Sequence, residues 1–314
     1  MVACMPNEFE IIKKHFKKAP KRKDVLLGSG DDCSLILPDT TKALATSTDT
    51  LVEGVHFLKT INPADLGFYA LAVNLSDLAA MGATPAFVHA SLTMPKVDEV
   101  WLEALMQGFF ELADQHGVDL IGGNLSEGPL AINLCISGYV DSEKVLRRDH
   151  AKPGDSIFVT GQLGLASLAI DMVRNKIPAD PAIIKKFYRH QPPIEFAQKL
   201  LGKAHSAIDI SDGLLADLGH ILEGSHCGAT LFIDQLPINP MLNTFYSEDQ
   251  INQITLTGGC EYELCFTVPE NAIEDWMYKN ATKIGVVEKT LEVRIMAEGK
   301  PFELLLEKGY QHFL

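Results

Sequence analysis

Long apolar runs are missing from this 314-residue chain, and none approaches the roughly 18 residues that a membrane span needs. Cysteine is sparse as well. The six present (Cys4, Cys33, Cys135, Cys227, Cys260, Cys265) are scattered and form no CxxC. That argues against a disulfide frame or a zinc site and fits reduced thiols in a cytoplasmic protein. Met1 to Lys23 is dotted with lysines and holds no apolar core of signal-peptide length, so no secretory signal is read. Basic residues are the minority, 27 Lys and Arg against 41 Asp and Glu, for a net charge of −14. That balance argues against a nucleic-acid partner, whose phosphates demand a basic face.

Familiar phosphate and catalytic signatures are also absent. There is no G-x-x-x-x-G-K-[ST], no G-x-G-x-x-G, no H-R-D loop and no H-E-x-x-H. P-loop, dinucleotide-binding, protein-kinase and zinc-protease readings lose their main support.

What is present is the composition of a folded protein, with 46% hydrophobic and 22% charged residues, in a chain long enough for two domains. Short β-like runs alternate with helical ones, which predicts a mixed α/β fold. Strands are expected at 43–48, 86–94, 118–121, 130–140, 156–160, 207–210, 229–233, 262–268, 283–288 and 302–306. Helices are expected over 65–82 and 97–116, from 163, and in two further runs up to 203. The 65–82 helix carries apolar residues on two faces and is expected to be central. The turn cluster Lys152-Pro153-Gly154-Asp155 marks a boundary, giving domains of 1–148 and 149–314.

Acidic residues recur where strands end or a central helix turns: Gly30-Asp31-Asp32, Ser47-Thr48-Asp49, Asn74-Leu75-Ser76-Asp77 and Asp209-Ile210-Ser211-Asp212-Gly213. Any one of these after a strand can be a helix N-cap. Asp77 is different, because it lies inside an apolar helix where no cap is available. Two carboxylates ~4 Å apart repel by roughly 4 kcal/mol even at an effective dielectric of 20. If they converge, hard divalent cations with oxygen ligands are the natural counter-charge, and Mg²⁺ bridging to phosphate is the usual use of such a site. The turns Gly28-Ser29-Gly30, Gly122-Gly123-Asn124 and Gly258-Gly259 can bring backbone N–H groups to an anion, or can be ordinary turns. Arg147-Arg148 can hold phosphate or be a solvated surface pair.

Several of these runs resemble one family. Gly28 to Asp32, Ser47 to Phe57, Ala70 to Ala83, Lys152 to Asp155, Ala207 to Leu214 and Gly309 to Phe313 are similar, in order, to the blocks of the thiamine-monophosphate kinases. The likeness covers about residues 7 to 313. It implies the two-domain fold of the aminoimidazole-ribotide synthetase superfamily, with an N-terminal domain forming a dimer-spanning β-barrel and a C-terminal α/β domain. It implies transfer of the ATP γ-phosphoryl group to thiamine monophosphate, several Mg²⁺ ions, ATP as co-substrate and a homodimer. Carried over by position, Asp31, Asp32, Ser47, Thr48, Asp49, Asp77, Asn124, Asp209 and Asp212 are implied metal ligands, and Asp212 is the residue expected nearest the reacting phosphate in an in-line transfer. Gly123, Asn124, Arg148 and Ser211 are implied ATP contacts. His56, Cys260, Glu261 and Tyr310 are implied substrate contacts.

The chain departs from that pattern at three places. Asn124 replaces an aspartate, Leu125-Ser126-Glu127 replaces Thr-Thr-Arg, and Cys260-Glu261 replaces an acidic pair. A thiol cannot neutralise a cationic thiazolium, so Glu261 is expected to serve in its place. A related ATP-dependent kinase or synthetase acting on another small substrate, or a non-catalytic nucleotide-binding regulator, are the rival readings. The aspartate clusters speak against the second, since mutually repelling carboxylates serve little purpose without metal.

Overall fold

The computed structural model describes residues 8–302, which divide into two compact units. The first takes the chain up to Leu78, Ala83–Ser142 and Tyr188–Gln191; the second takes Ala79–Gly82, Glu143–Phe187 and the chain from Pro192 on. The changeover thus falls ahead of the Lys152–Asp155 turn, because Arg147 already bridges to Ser206 and Leu146 donates to the Met81 carbonyl.

The first unit opens with a short helical turn, α1 (Glu8–Ile11), and a small hairpin of β1 (Val25–Leu27) and β2 (Leu35–Ile36). Its body is β3 (Ala43–Val52), α2 (Pro63–Ala80), β4 (Thr84–Met94), α3 (Glu99–His116), β5 (Asp119–Glu127) and β6 (Ala131–Val140). The four long strands form a sheet in the order β3-β6-β4-β5, antiparallel except for the β4–β5 pair. Among the described residues this sheet is open, with β3 and β5 at its edges, and no closed barrel forms.

Helix α2 starts where Asn62 accepts the Ala64 N–H (2.9 Å) and Pro63 supplies a pre-set first turn. It ends at Gly82, in the left-handed conformation. Asp98 caps α3 through the Val100 and Trp101 N–H groups, and left-handed Gly117 stops it. Leu66, Phe68, Tyr69, Leu71, Leu75 and Leu78 of α2 are all nearly inaccessible to solvent, so this helix is buried on every side, as the two apolar faces in its sequence require. The two helices touch backbone to backbone. A Cβ on Gly67 would lie 1.9 Å from the Leu105 carbonyl oxygen, and one on Gly108 1.8 Å from that of Ala64.

The second unit holds β7 (Ser156–Thr160), α4 (Leu165–Val173), α5 (Pro181–Tyr188), α6 (Ile194–Leu200), β8 (Ser206–Asp209), α7 (Leu214–Gly224), β9 (Gly228–Phe232), α8 (Glu248–Thr257), β10 (Leu264–Val268), β11 (Ala281–Glu288), β12 (Val293–Ala297) and β13 (Lys300–Pro301). Its seven strands run β13-β12-β9-β11-β7-β10-β8, antiparallel except for β12 beside β9. β7, β8 and β10 are buried along their whole length, with Ser156, Thr160, Ser206, Asp209 and Thr267 as buried polar residues among their apolar ones. Ile157, Val159, Ile208, Leu231 and Cys265 pack with Leu214, Leu218 and Ile221 of α7 and Leu256 of α8. The strand expected at 302–306 lies almost wholly outside the described residues. β12 and β13 occupy the stretch just before it.

The helix contact makes a direct test. Gly108→Ala must push α2 and α3 apart, and overpacking of this kind costs about 1–3 kcal/mol. Urea unfolding should show the loss, whereas Gly154→Ala should cost less, since a Cβ at Gly154 meets nothing within 4 Å even though its φ is +94°.

Candidate active site

In the first unit the alternation of β3 decides which oxygens meet. Ser47 and Asp49 share one face of the strand, and the Ser47 hydroxyl donates to the Asp77 carboxylate of α2 at 2.5 Å. Asp49 hydrogen-bonds Asp77 as well, and burial together with the Asp77 charge pushes the Asp49 carboxyl up to about 6. Both influences act upward, so Asp49 is held toward its protonated form. Thr48 points to the opposite face, where its hydroxyl donates to the Leu134 carbonyl (2.9 Å). Its side chain does not join Ser47 and Asp49.

Asp31 and Asp32 stand exposed in the bend between β1 and β2. Ser34 ties that bend to β4 through His89 Nε2 (3.1 Å), a residue the sequence reading did not single out. Gly123 and Asn124 are exposed on β5. A Cβ on Gly123 would lie 1.8 Å from the Ala90 carbonyl oxygen, so only glycine fits, and Asn124 donates to Ser126 (2.8 Å). His56, after β3, accepts the Val52 N–H on Nδ1 (3.0 Å).

In the second unit Asp209 ends β8 and is buried, while Ser211 and Asp212 are half-buried in the turn leading to α7. One oxygen of Asp217 accepts the N–H groups of Ser211, Asp212 and Gly213 at 3.0, 3.0 and 3.1 Å. Burial lifts Asp217 to about 6 against the pull of those donors. A sequence reading assigns Asp217 to a helix first turn, where acids are common, and nothing in its spacing reveals the three bonds.

The segment 258–262 is stitched to this turn. Cys260 donates its N–H to the Ser211 carbonyl (2.7 Å) and Tyr262 to that of Ile210 (2.8 Å). Both residues adopt left-handed φ, 63° and 54°. Between them Glu261 turns to the start of α4, where Oε1 accepts the Gly164 N–H at 2.7 Å and the Ala166 N–H adds a second bond. Although the residue keeps some exposed surface, its carboxyl group is deeply enclosed. Arg148, also in this unit, is exposed. Tyr310 lies outside the described residues.

The donor set can be judged for Mg²⁺ on its chemistry. Ser47, Asp49 and Asp77 offer only oxygen, which suits a hard cation. Among the described residues no three His, Cys, Asp or Glu side chains gather as a cage. One or two carboxylates completed by phosphate and water is the usual Mg²⁺ arrangement, so the residues fit a metal that arrives with a phosphate ligand. An open groove of about 690 Å³ at the ends of β4 and β5 is lined by Met94, Lys96 and the departing stretch Leu125-Ser126-Glu127 among others, and by none of the implied metal, ATP or substrate contacts.

Burial pushes the Glu261 carboxyl up to about 8, against an ordinary value of 4.5. A carboxyl raised by folding is held with its proton, so its contribution to stability is complete below pH 4.5 and is lost as pH rises through 8. Glu261→Gln keeps an acceptor for Gly164 and removes the charge. The variant should therefore gain stability over wild type progressively from pH 5 to 9. Thermal melts at pH 5, 7 and 9 check this, and a constant gap between the two proteins would refute it.

Comparison with known proteins gives a consistent picture. The AIR synthase related protein N-terminal domain family matches residues 30–140, and its C-terminal domain family matches 152–298. The thiamine-monophosphate kinase of Escherichia coli K12 is 43% identical over 325 aligned positions spanning 99% of both chains. That of Buchnera aphidicola subsp. Schizaphis graminum is 40% identical over 98% of this chain and 99% of its own. The crystal structure of thiamine-monophosphate kinase from Stenotrophomonas maltophilia K279a superposes with a TM-score of 0.82, at 39% identity, over 89% of this chain and 93% of that one. AaThiL complexed with AMPPCP and TMP superposes with a TM-score of 0.79, at 30% identity, over 88% and 89%. The chain belongs to the AIR synthase related proteins and, within them, to the thiamine-monophosphate kinase family.

Proposed function

We propose that this chain transfers the γ-phosphoryl group of ATP to thiamine monophosphate, giving thiamine diphosphate, with Mg²⁺ as the metal. The observation that carries the reading is the full-length likeness to the Escherichia coli kinase, over 99% of both chains. Both acidic groups described above lie inside the matched span.

The acceptor is already a phosphate anion at neutral pH, so the reaction needs no strong general base. Positioning and charge neutralisation supply most of the catalysis. Bound Mg²⁺ would supply that neutralisation and a fixed frame for the phosphate oxygens. The protein's own part is to hold its oxygens ready. Asp49 and Asp77 would present their carboxylate oxygens to the metal, Ser47 keeps Asp77 aimed, and Asp209 and Asp212 present the second acidic group. Ser211, Arg148, Gly123 and Asn124 contact ATP. His56 and Tyr310 hold the acceptor. Since the Glu261 carboxyl is engaged by α4, Cys260 is the residue of that pair left to meet the thiazolium, as a neutral contact. Asp31 and Asp32, on an exposed bend, reach metal only as the outer ligands of the set.

Two copies associate in this reading through the first unit. The sheet face carrying Thr46, Thr48 and Thr50 of β3 is exposed, which supports a partner sheet closing over it to form a barrel. Sedimentation should give close to twice 34.4 kDa, and a species at the monomer mass would remove the dimer from the proposal.

Cys260 and Asn124 favour the second reading, a kinase of the same family acting on a different small acceptor. Purified protein with ATP and thiamine monophosphate should form thiamine diphosphate only when Mg²⁺ is added. Asp212→Ala should lower kcat by about 100-fold or more, the usual cost of losing a charge-stabilising group. Product formation at the wild-type rate by that variant would end the assigned role. Mg·ATP binding without product would shift the acceptor to another small molecule.

A further inference from the structure

The turn before α7 has the form of an anion nest whose N–H groups face the wrong way for a nucleotide. Successive backbone N–H groups converging ahead of a helix are the usual cradle for phosphate. Here every N–H from Ile210 to Gly213 is already used inside the protein. Ile210 donates to the Glu263 carbonyl at 2.8 Å, and the next three donate to Asp217. Asp217 is only 2% exposed and follows Gly213 by four residues, one turn along α7, which sets its carboxylate beneath the loop. On the other flank the Ser211 and Ile210 carbonyls are held by Cys260 and Tyr262. A Cβ on Gly213 would lie 2.6 Å from the Thr257 carbonyl oxygen, and one on Gly259 2.6 Å from that of Ser211, so the loop has no room to turn over.

We propose that Asp217 is a positioning residue that makes this loop a cation-facing element: by taking its three N–H groups inward, it leaves the Asp212 carboxylate to meet a metal ion and withholds the backbone from phosphate. The inference rests on the proposed metal role of Asp212. Asp217 acts at one remove, as partners of metal ligands do when they fix a ligand's direction. Its own carboxylate is the anion in the nest. The nucleotide's negative charge is therefore met here through metal and the Ser211 hydroxyl, and not through main-chain donors.

The test separates this inference from the reading beneath it. Binding of Mn²⁺ alone, followed by the loss of its free-ion electron paramagnetic signal, is measured for wild type, Asp212→Asn, Asp217→Asn and Asp217→Ala. The portion of binding removed by Asp212→Asn belongs to this loop. For that portion Asp217→Ala should weaken affinity about 10-fold or more, in the range seen when outer partners of metal ligands are lost. Asp217→Asn, which keeps an accepting oxygen, should recover part of it. Inorganic phosphate is the second probe. Asp217→Ala frees three N–H groups and should bind phosphate more tightly than wild type by calorimetry, an effect that simple loosening of the fold would not produce. Should Asp217→Ala fail to fold by circular dichroism, Asp217→Asn decides both measurements, with smaller shifts in the same directions. Unchanged Mn²⁺ affinity in the Asp217 variants alongside loss in Asp212→Asn overturns the positioning role. If Asp212→Asn removes no Mn²⁺ binding, it is the metal role of Asp212 that fails, and unchanged phosphate affinity in the Asp217 variants then overturns the inverted nest as well.

Discussion

Two acids that repel each other must be held together before any metal reaches them, and the first unit is built around that demand. Asp77 sits on a helix whose other residues are almost all buried, and Asp49 comes from a strand hydrogen-bonded along ten residues to β6. Left free, the carboxylates would separate or one would stay protonated, as the raised value of Asp49 indicates. Rigid neighbours on both sides deny them the first escape. The backbone contact of Gly67 and Gly108 fixes α2 against α3, and with it the direction of Asp77. Oxygen ligands held together in this way suit a hard divalent cation completed by phosphate and water.

The second unit solves a related problem by different means. Its acids sit on a turn, where rigidity must come from hydrogen bonds, since helix packing is not at hand. Asp217 below, Cys260 and Tyr262 on one flank and glycines at the close approaches over-determine the loop. A strand, an acid and a helix recur in both units, yet one is held by apolar packing and the other by its own backbone donors.

Much of this was legible in the sequence. The α2 and α3 helices and the strands β4, β6, β7, β8 and β10 fall close to the spans that period and composition predict, although the first half of β4 and the second half of β6 are buried on both faces. The short hairpin β1–β2 carries no clear alternation, and α8 presents a polar surface, Glu248-Asp249-Gln250, broken only by scattered apolar residues. Those signals are weak alone, and tertiary contacts decide them. Within the candidate site, Asp49 and Asp77 were readable because buried acids need a reason. Thr48 was grouped with its neighbours by adjacency, whereas a strand sends adjacent side chains to opposite faces. Glu261 is implied as a substrate contact only by the resemblance, as the acid left in a pair that is acidic in the family, and its direction is set by two left-handed residues that no propensity argument anticipates. Asp217 was invisible for the opposite reason, looking like an ordinary first-turn acid.

The left-handed pair at Cys260 and Tyr262 has a bearing on heat resistance. Each costs about 1–2 kcal/mol against an ordinary conformation, and the cost is sustained only while Ser211 and Ile210 hold their N–H groups. Residues 258–261 are half-buried whereas β7, β8 and β10 are buried throughout, and less buried segments open locally at lower free energy than core strands. Warming the protein would then disorganise the turn that bears Asp212 while β7, β8 and β10 are still paired. On the proposed role of Asp212, loss of catalytic competence is then expected to precede loss of secondary structure, because its turn is held by a few hydrogen bonds and not by strand pairing.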